Sequence, residues 1–214
     1  MNSIIRKSAL SIAGLLVTGG AVAGPAIAAQ AAPAEKPAIA VQAERKGKGE
    51  RVLEHDYQAQ PNFYYCGPAA TRIALSTQGK VLNQDEVAKK LGTTEAGTNS
   101  ANDTTRVLNE LTGGGYETTH ISGAKAKPEQ VDKLRADVIE AVDAKRGVVA
   151  NIKGTAVDTD GNRHSFEGGH YLSVVGYRDG GDTLKIADPY DPNEHYWMTV
   201  EKVANWIAER GYSS

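Results

Sequence analysis

Past residue 51 the apolar positions change period partway along the chain. In the first half they recur at helical spacing. Ala69, Ala70, Ile73 and Ala74 follow Cys66, with Pro68 in the first turn, where a missing N–H is tolerated, and Gly79 available as a stop. Asn83 with Glu86 three residues later forms a capping-box signature for a second helix closing at Gly92. A third helix is predicted from about Asn102 or Asp103, through Val107, Leu108 and Leu111, to the glycines at 113–115. A fourth opens at Pro128, aligns Val131, Leu134, Val138 and Val142 on one face, and ends at Gly147.

The second half reads with the shorter period of strands. "GVVANIK", "HYLSVVGYR", "TLKIAD" and "HYWMTV" are rich in Val, Ile, Leu and Tyr and are separated by Gly, Asp and Asn clusters. "YETTHI", earlier in the chain, is a further short strand. A last helix is expected from Val200 to Arg210, capped by Thr199 and stopped at Gly211. Helices first and an antiparallel sheet afterwards describe an α+β domain in two lobes.

Upstream, Arg6 and Lys7 precede an uncharged run of small and apolar residues from Ala9 to Ala28, the pattern of an export signal. Cleavage after Ala28 or after Ala31 satisfies the small-x-small rule equally. The expected organisation is therefore a signal peptide over 1–31, a flexible linker or pro-segment over 32–51, rich in Ala, Pro, Lys and Glu, and a single domain over 52–214. No downstream segment is apolar for long enough to span a bilayer, so stable membrane insertion is not expected after cleavage. The expectation is a secreted, extracellular monomer. Loss of the two leader cations would take the formal charge from -2 to -4, an acidic balance that argues against nucleic acid as a partner.

Export gives the lone cysteine its interest. Oxidising compartments favour paired cysteines, and Cys66 has no possible disulfide partner in the chain. Placed at a helix N-terminus, its thiolate would be favoured by unpaired backbone N–H groups, which are also suited to hold an oxyanion. Gly67 would keep the approach to sulfur clear. Of the five histidines, His170 opens a strongly apolar strand after two glycines, a position from which an imidazole can reach into a cleft. His164, in an expected hairpin, and His195, at a strand edge, are weaker candidates, and His55 and His120 carry no flanking cue. A carboxylate should orient the base. A symmetric turn about Gly180 and Gly181 would set Asp191 opposite His170. A bulge would bring Asp188 to that face instead, and alternation with Leu184 and Ile186 favours Asp188.

Taken together, "QPNFYYCGPAA", "GGHYLSVVGY" and "IADPYD", in that order, resemble the C39-like cysteine peptidases, a branch of the papain-like superfamily. The resemblance runs from about Gln58 to Arg210 and implies a papain-like two-lobed fold with no metal or organic cofactor. It also implies Cys66 as nucleophile, His170 as base and then acid, Asp188 as orienter, and Gln60, six residues before the cysteine, as oxyanion donor. Tyr65 stands where the transporter-linked members have Asp, and the membrane export domains of those members have no counterpart here, so the free-standing secreted branch is the nearer match. The implied activity is cleavage of peptide or amide bonds through an acyl-enzyme, on peptide or protein substrates that include cell-wall peptide. The same residues are compatible with acyl transfer, peptidoglycan amidase chemistry or a non-catalytic binding module.

Other signals are weaker. "DTDGN" at 158–162 resembles the start of a calcium loop, but its glycine falls one position early and Gly169 stands where a carboxylate is needed, so a hairpin turn is expected. No His or Cys spacing suits zinc. Tyr64, Tyr65, Tyr190, Tyr196 and Trp197 are candidates to line a peptide cleft.

Overall fold

The structure, a computed structural model, describes residues 49–214. The expected leader and most of the expected linker, residues 1–48, lie outside the described residues. Among the described residues five α-helices and seven strands follow in the order β1 (Arg51–Val52), α1 (Cys66–Ser76), α2 (Gln84–Leu91), α3 (Ala101–Thr112), β2 (Thr118–Ile121), α4 (Pro128–Asp143), β3 (Val148–Val157), β4 (Arg163–Arg178), β5 (Thr183–Ala187), β6 (His195–Thr199), α5 (Val200–Ile207) and β7 (Arg210–Ser213). The strands form one antiparallel sheet in the order β2-β7-β3-β4-β5-β6, with β1 paired to the far end of β4. This is the mixed helical and antiparallel architecture expected from the change of period.

Alternation along the central strands divides the core. Ala150, Ile152, Leu172, Val174, Leu184 and Ile186 face α4 and α5, packing on Leu134, Val138, Val203 and Ile207. Val149 and Tyr171, on the other face, pack with Ala70, Ala74, Leu75, Val87 and Leu108 of the helical lobe. Every residue of α1 is buried, which its small side chains permit by letting sheet and neighbouring helices approach together. The Ser173 hydroxyl donates to the Ala70 carbonyl at 2.6 Å, fixing α1 on β4. Ahead of α1, residues 53–65 form a strap pinned by Asp56. Its backbone N–H reaches the Ser76 hydroxyl, and its carbonyl and carboxylate accept from the buried Arg72 guanidinium.

The local signals differ in how far they carry. Asn83 and Glu86 make both bonds of the capping box. α3 begins slightly earlier than expected, with Ser100 as N-cap, and α4 ends at Asp143, ahead of Gly147. Arg51, expected in the linker, lies in β1 opposite Tyr177. The largest departure is at the C-terminus. The last helix stops at Ile207, and residues 210–213 become β7, inserted between β2 and β3 with Tyr212 opposite both Thr119 and Ala150. Two vacant strand edges supply backbone partners that one more helical turn would leave unused.

Candidate active site

α1 begins at Cys66 itself. Tyr65, its N-cap, makes no side-chain cap bond and sends its hydroxyl to Asp85, so no cap side chain competes for the first-turn N–H groups. The buried sulfur lies beside the His170 imidazole and the backbone N–H groups of Gly67 and Tyr171, all of which favour its anion. Gly67 is required for a different reason from the one its sequence suggests. A Cβ there would lie 2.1 Å from the Thr98 hydroxyl, so the glycine lets the 93–99 loop close against the helix start and does not serve chiefly to admit substrate.

His170 sits near the middle of the long β4, directly after Gly168 and Gly169. β4 carries two more residues than β3 over this stretch, since Ile152 lies opposite His170 while Gly154 lies opposite Phe166, so residues 167–169 stand against Lys153 alone. Its ring stacks on Phe166 with centroids 4.0 Å apart and planes 15° apart. Its Nε2–H donates to Asp188 Oδ1 at 2.7 Å, which leaves Nδ1 as the nitrogen facing sulfur. Asp188 is completely buried and accepts twice more, from the Tyr190 backbone N–H at 3.0 Å and from the Tyr196 hydroxyl at 2.8 Å.

The choice between Asp188 and Asp191 rests on one bulge. Near the turn the strands pair symmetrically about Gly180 and Gly181, with Tyr177 opposite Leu184. Beyond Val175 the register shifts, and Val174 lies opposite Ile186. That single extra residue brings Asp188, in place of Asp191, to His170. Asp191 instead accepts from His164 Nδ1 at 2.8 Å, while His164 Nε2 bonds Asp158 at 3.1 Å. "DTDGN" is a hairpin turn as expected, since Asp158 Oδ1 caps the backbone N–H groups of Asp160 and Asn162. No group of three or more His, Cys, Asp or Glu side chains among the described residues is arranged to hold a metal.

The electrostatics follow from these contacts. Burial pushes the Cys66 thiol up, but the hydrogen bond and charge of His170, with the Tyr171 and Gly67 N–H groups, outweigh it and hold the thiol below its ordinary value. Burial disfavours the charged imidazole as well, yet the bonds to Asp188 and Cys66 raise His170 to about 9. Burial of Asp188 is likewise outweighed, chiefly by His170, and its carboxyl is held below the usual range. The two shifts act in the same sense, drawing the pair toward thiolate beside imidazolium.

Gln60 is placed differently from the other three predicted site residues. Its backbone N–H donates to the Pro189 carbonyl at 2.9 Å, close to Asp188, but its side-chain Nε2 donates to the Asn62 carbonyl at 2.7 Å and its Oε1 is buried without a partner. A turn centred on Asn62, whose own Oδ1 caps the Tyr64 N–H, draws the amide toward that carbonyl. The cleft at the sulfur, about 380 Å³, is lined instead by Cys66, His170, Phe63, Thr98, Asn151 and Arg210 among others. A hollow of about 400 Å³ near Tyr116 has charged walls whose Lys133 and Asp137 pair with each other, and neither a cysteine nor a histidine lines it. The cleft at Cys66 is therefore the candidate site.

Two contributors are not evident from the motifs. Tyr196, expected only as a lining residue, is the hydroxyl that completes Asp188. Alternation is the signal that points to it, because Ile186 lies opposite Tyr196 and Asp188 is the next residue on that face. Arg210 is hidden by its expected place at a helix end.

The model of the Peptidase C39 like family matches residues 52–214. Among solved structures, one from Bacillus anthracis described as a C39-like peptidase aligns with a TM-score of 0.54 at 11% identity, covering 78% of this chain and 97% of the other. The peptidase domain of Streptococcus ComA, a bifunctional ABC transporter of a quorum-sensing pathway, gives 0.48 at 15% identity, with 75% and 96% covered. A double glycine motif protease from an AMS/PCAT transporter, solved with its leader peptide, gives 0.47 at 15% identity, with 76% and 91% covered. No curated protein matches the chain. At such identities the structural likeness is one of fold, and it is the match running from β1 to the last residue that carries the assignment: the chain belongs to the Peptidase C39 like family.

Proposed function

We propose that the protein is a thiol hydrolase that cleaves peptide or amide bonds through an acyl-enzyme on Cys66. The observation that carries this reading is the alignment of Cys66, His170 and Asp188 at the wall of an open cleft, with the thiol beside the imidazole and the imidazole bonded to the carboxylate. The thiolate attacks the carbonyl carbon, and the oxyanion is held by the Cys66 backbone N–H. Gln60, six residues before Cys66, is the second donor in this reading, and to serve there its Nε2 has to leave the Asn62 carbonyl. His170 Nδ1–H protonates the departing nitrogen as the C–N bond breaks and the thioester forms. His170 then takes a proton from water, which attacks the thioester and releases the acid and the free thiol. Asp188 holds the imidazole in the tautomer and orientation that both steps need. In the test, Cys66→Ser abolishes both labelling by a thiol-directed acylating probe and hydrolysis of a peptide library read by mass spectrometry. Unchanged hydrolysis in that variant would refute the assignment.

We infer further that the protein works outside the cytoplasm, on peptides. The support is the Arg6-Lys7 leader pattern followed by the uncharged run from Ala9 to Ala28. N-terminal sequencing of protein recovered from the culture medium should begin at residue 29 or 32 by the small-x-small rule. Recovery of an uncleaved chain from the cytoplasm alone would count against it.

A further inference from the structure

The cleft holds a cation that the proposed chemistry does not use. Arg210, the first residue of β7, lines the same hollow as Cys66 and His170 and is half-buried. Among the described residues its guanidinium pairs with no carboxylate, and its one hydrogen bond is a long one, Nη1 to Asn151 Oδ1 at 3.4 Å. Asn151 is itself buried and fixed, its amide N–H donating to the Tyr171 hydroxyl at 2.9 Å, which in turn donates to the Thr98 carbonyl at 3.3 Å. The guanidinium is thus oriented from behind by a buried polar relay while its remaining donors stay unengaged.

The ground between this cation and the base is bare backbone. Gly169, with φ at +95°, lies so close that a Cβ there would come within 3.2 Å of Arg210 Nη2, and a Cβ on Gly168 would meet nothing within 4 Å. Gly168 and Gly169, in the bulged stretch of β4, therefore leave the path from His170 to Arg210 free of side chains. A hollow of about 380 Å³ is of order 7 Å across, or roughly two residues of extended chain. A second hollow shares Asn99, Asn151 and Arg210 with the cleft and continues past Lys153 and Glu209. Apart from Cys66 and His170 themselves, the other charged residue lining the cleft among the described residues is Glu95, exposed on the 93–99 loop, where water screens it more than it does the half-buried guanidinium. A partly desolvated arginine with open donors is matched to a planar carboxylate, which it can hold through two parallel bonds.

We infer that Arg210 receives a carboxylate of the substrate within about two residues of the scissile bond, which makes acidic peptides the preferred class. The inference rests on the peptidase reading and specifies its substrate. The carboxylate is either an Asp or Glu side chain or the free terminus of a short peptide. Matched fluorogenic peptides differing only as Glu against Gln at each position flanking the cleaved bond, and as free acid against amide at the C-terminus, separate these sources. At one position, or at the terminus, the acid is expected to exceed the amide by roughly ten- to a hundred-fold in kcat/KM. Arg210→Gln should bring that ratio to about one and Arg210→Lys should keep part of it, because the charge remains while the fork is lost. Each ratio is taken within one variant, so a general loss of activity does not disturb it, and thermal melts verify folding. A ratio near one everywhere in the unmodified protein, or one that survives in Arg210→Gln, overturns the inference and leaves the peptidase reading standing. If no peptide is cleaved, the peptidase reading falls, and fluorescence anisotropy of the same pairs on Cys66→Ser decides the Arg210 question. Acid-selective binding lost on adding Arg210→Gln supports it, and equal binding of acid and amide refutes it.

Discussion

β4 carries two buried histidines six residues apart, and they are built alike except in one respect. His164 is 5% exposed and His170 4%; each ring is stacked, on Tyr196 at 3.9 Å and on Phe166 at 4.0 Å, and each bonds a carboxylate. The difference is at the second nitrogen. Both nitrogens of His164 face carboxylate oxygens, which only accept, so its ring is closed on both sides by Asp158 and Asp191. His170 commits only Nε2, to Asp188, and its other nitrogen faces a thiol that can exchange a proton with it. A buried imidazole becomes available for chemistry when one of its two bonds is to a group that changes protonation state. With carboxylates on both sides, the same residue type is a structural clamp on the loop that carries Asp188.

The largest effect should come from removing the free-sided ring. His170→Gln is expected to lower hydrolysis by about 10⁴-fold, the upper range for loss of a general acid-base group. The same variant should reverse the sign of the thiol's perturbation. With His170 gone, the burial that now loses to it is opposed only by the two backbone N–H groups, and the Cys66 pKa should rise from below its ordinary value toward or above it. Alkylation of Cys66 by a neutral haloacetamide, followed against pH, measures this directly. In the unmodified protein the alkylation rate should plateau below the range of free cysteine, and hydrolysis should decline as pH rises through about 9, where His170 loses its proton. Stability gives a poorer readout because the two shifts oppose each other. The raised His170 contributes stability that is full below its unfolded value and lost as pH rises through about 9, whereas the lowered Cys66 contributes stability that is lost as pH falls through its folded value. Between those limits folding takes up a proton at one residue and releases it at the other. An alkylation profile unchanged by His170→Gln would remove the ground for treating the two histidines as different in kind.

Parts of this distinction are legible in the amino-acid order alone. Ala69, Ala70, Ile73 and Pro68 place Cys66 at a helix start, because periodicity and proline position are local properties. His170 is marked by its glycines and by the apolar strand behind it. The choice of carboxylate is marked only faintly, by the alternation of Asp188 with Leu184 and Ile186, since the bulged residue, Val175, is one apolar residue in an apolar run and the register shift appears only when β5 pairs with β4. β7 is hidden for a similar reason. Arg210-Gly211-Tyr212-Ser213 is too short to declare a period, and its pairing partners lie in β2 and β3, far away in sequence. Gln60 shows the limit of spacing as a guide: six residues before Cys66 fixes where its backbone runs, while the local turn at Asn62 decides where its amide points.

Breaking the closed-sided histidine should act on stability first. His164→Asn leaves the buried Asp158 and the largely covered Asp191 without the ring between them, and each acceptor left unpaired costs about 1–3 kcal/mol. For a domain of this size that corresponds to a fall in Tm of order 10 °C or more. Hydrolysis per folded molecule, measured well below the transition, should remain within about tenfold, an allowance smaller than a general acid-base group contributes. A loss approaching that of His170→Gln would show that the clamp and the base are one functional unit.

Tyr196 joins the two histidines and offers the finest test, because its ring lies on His164 while its hydroxyl donates to Asp188 Oδ2. Tyr196→Phe keeps the stack and deletes the donor. One bond to a buried charged acceptor is worth about 1.5–3 kcal/mol, so Tm should fall by less than in His164→Asn. The hydroxyl draws electron density from the carboxylate that orients His170, and without it Asp188 accepts more strongly from the imidazole. The alkaline limb of hydrolysis should therefore stay near 9 or move upward, while kcat falls a few-fold from a looser ring and KM is unchanged, as expected of a positioning residue. A downward shift of that limb would mean that the hydroxyl supports the charged imidazole rather than competing for its partner. The link between the two histidines would then run through electrostatics and not through placement.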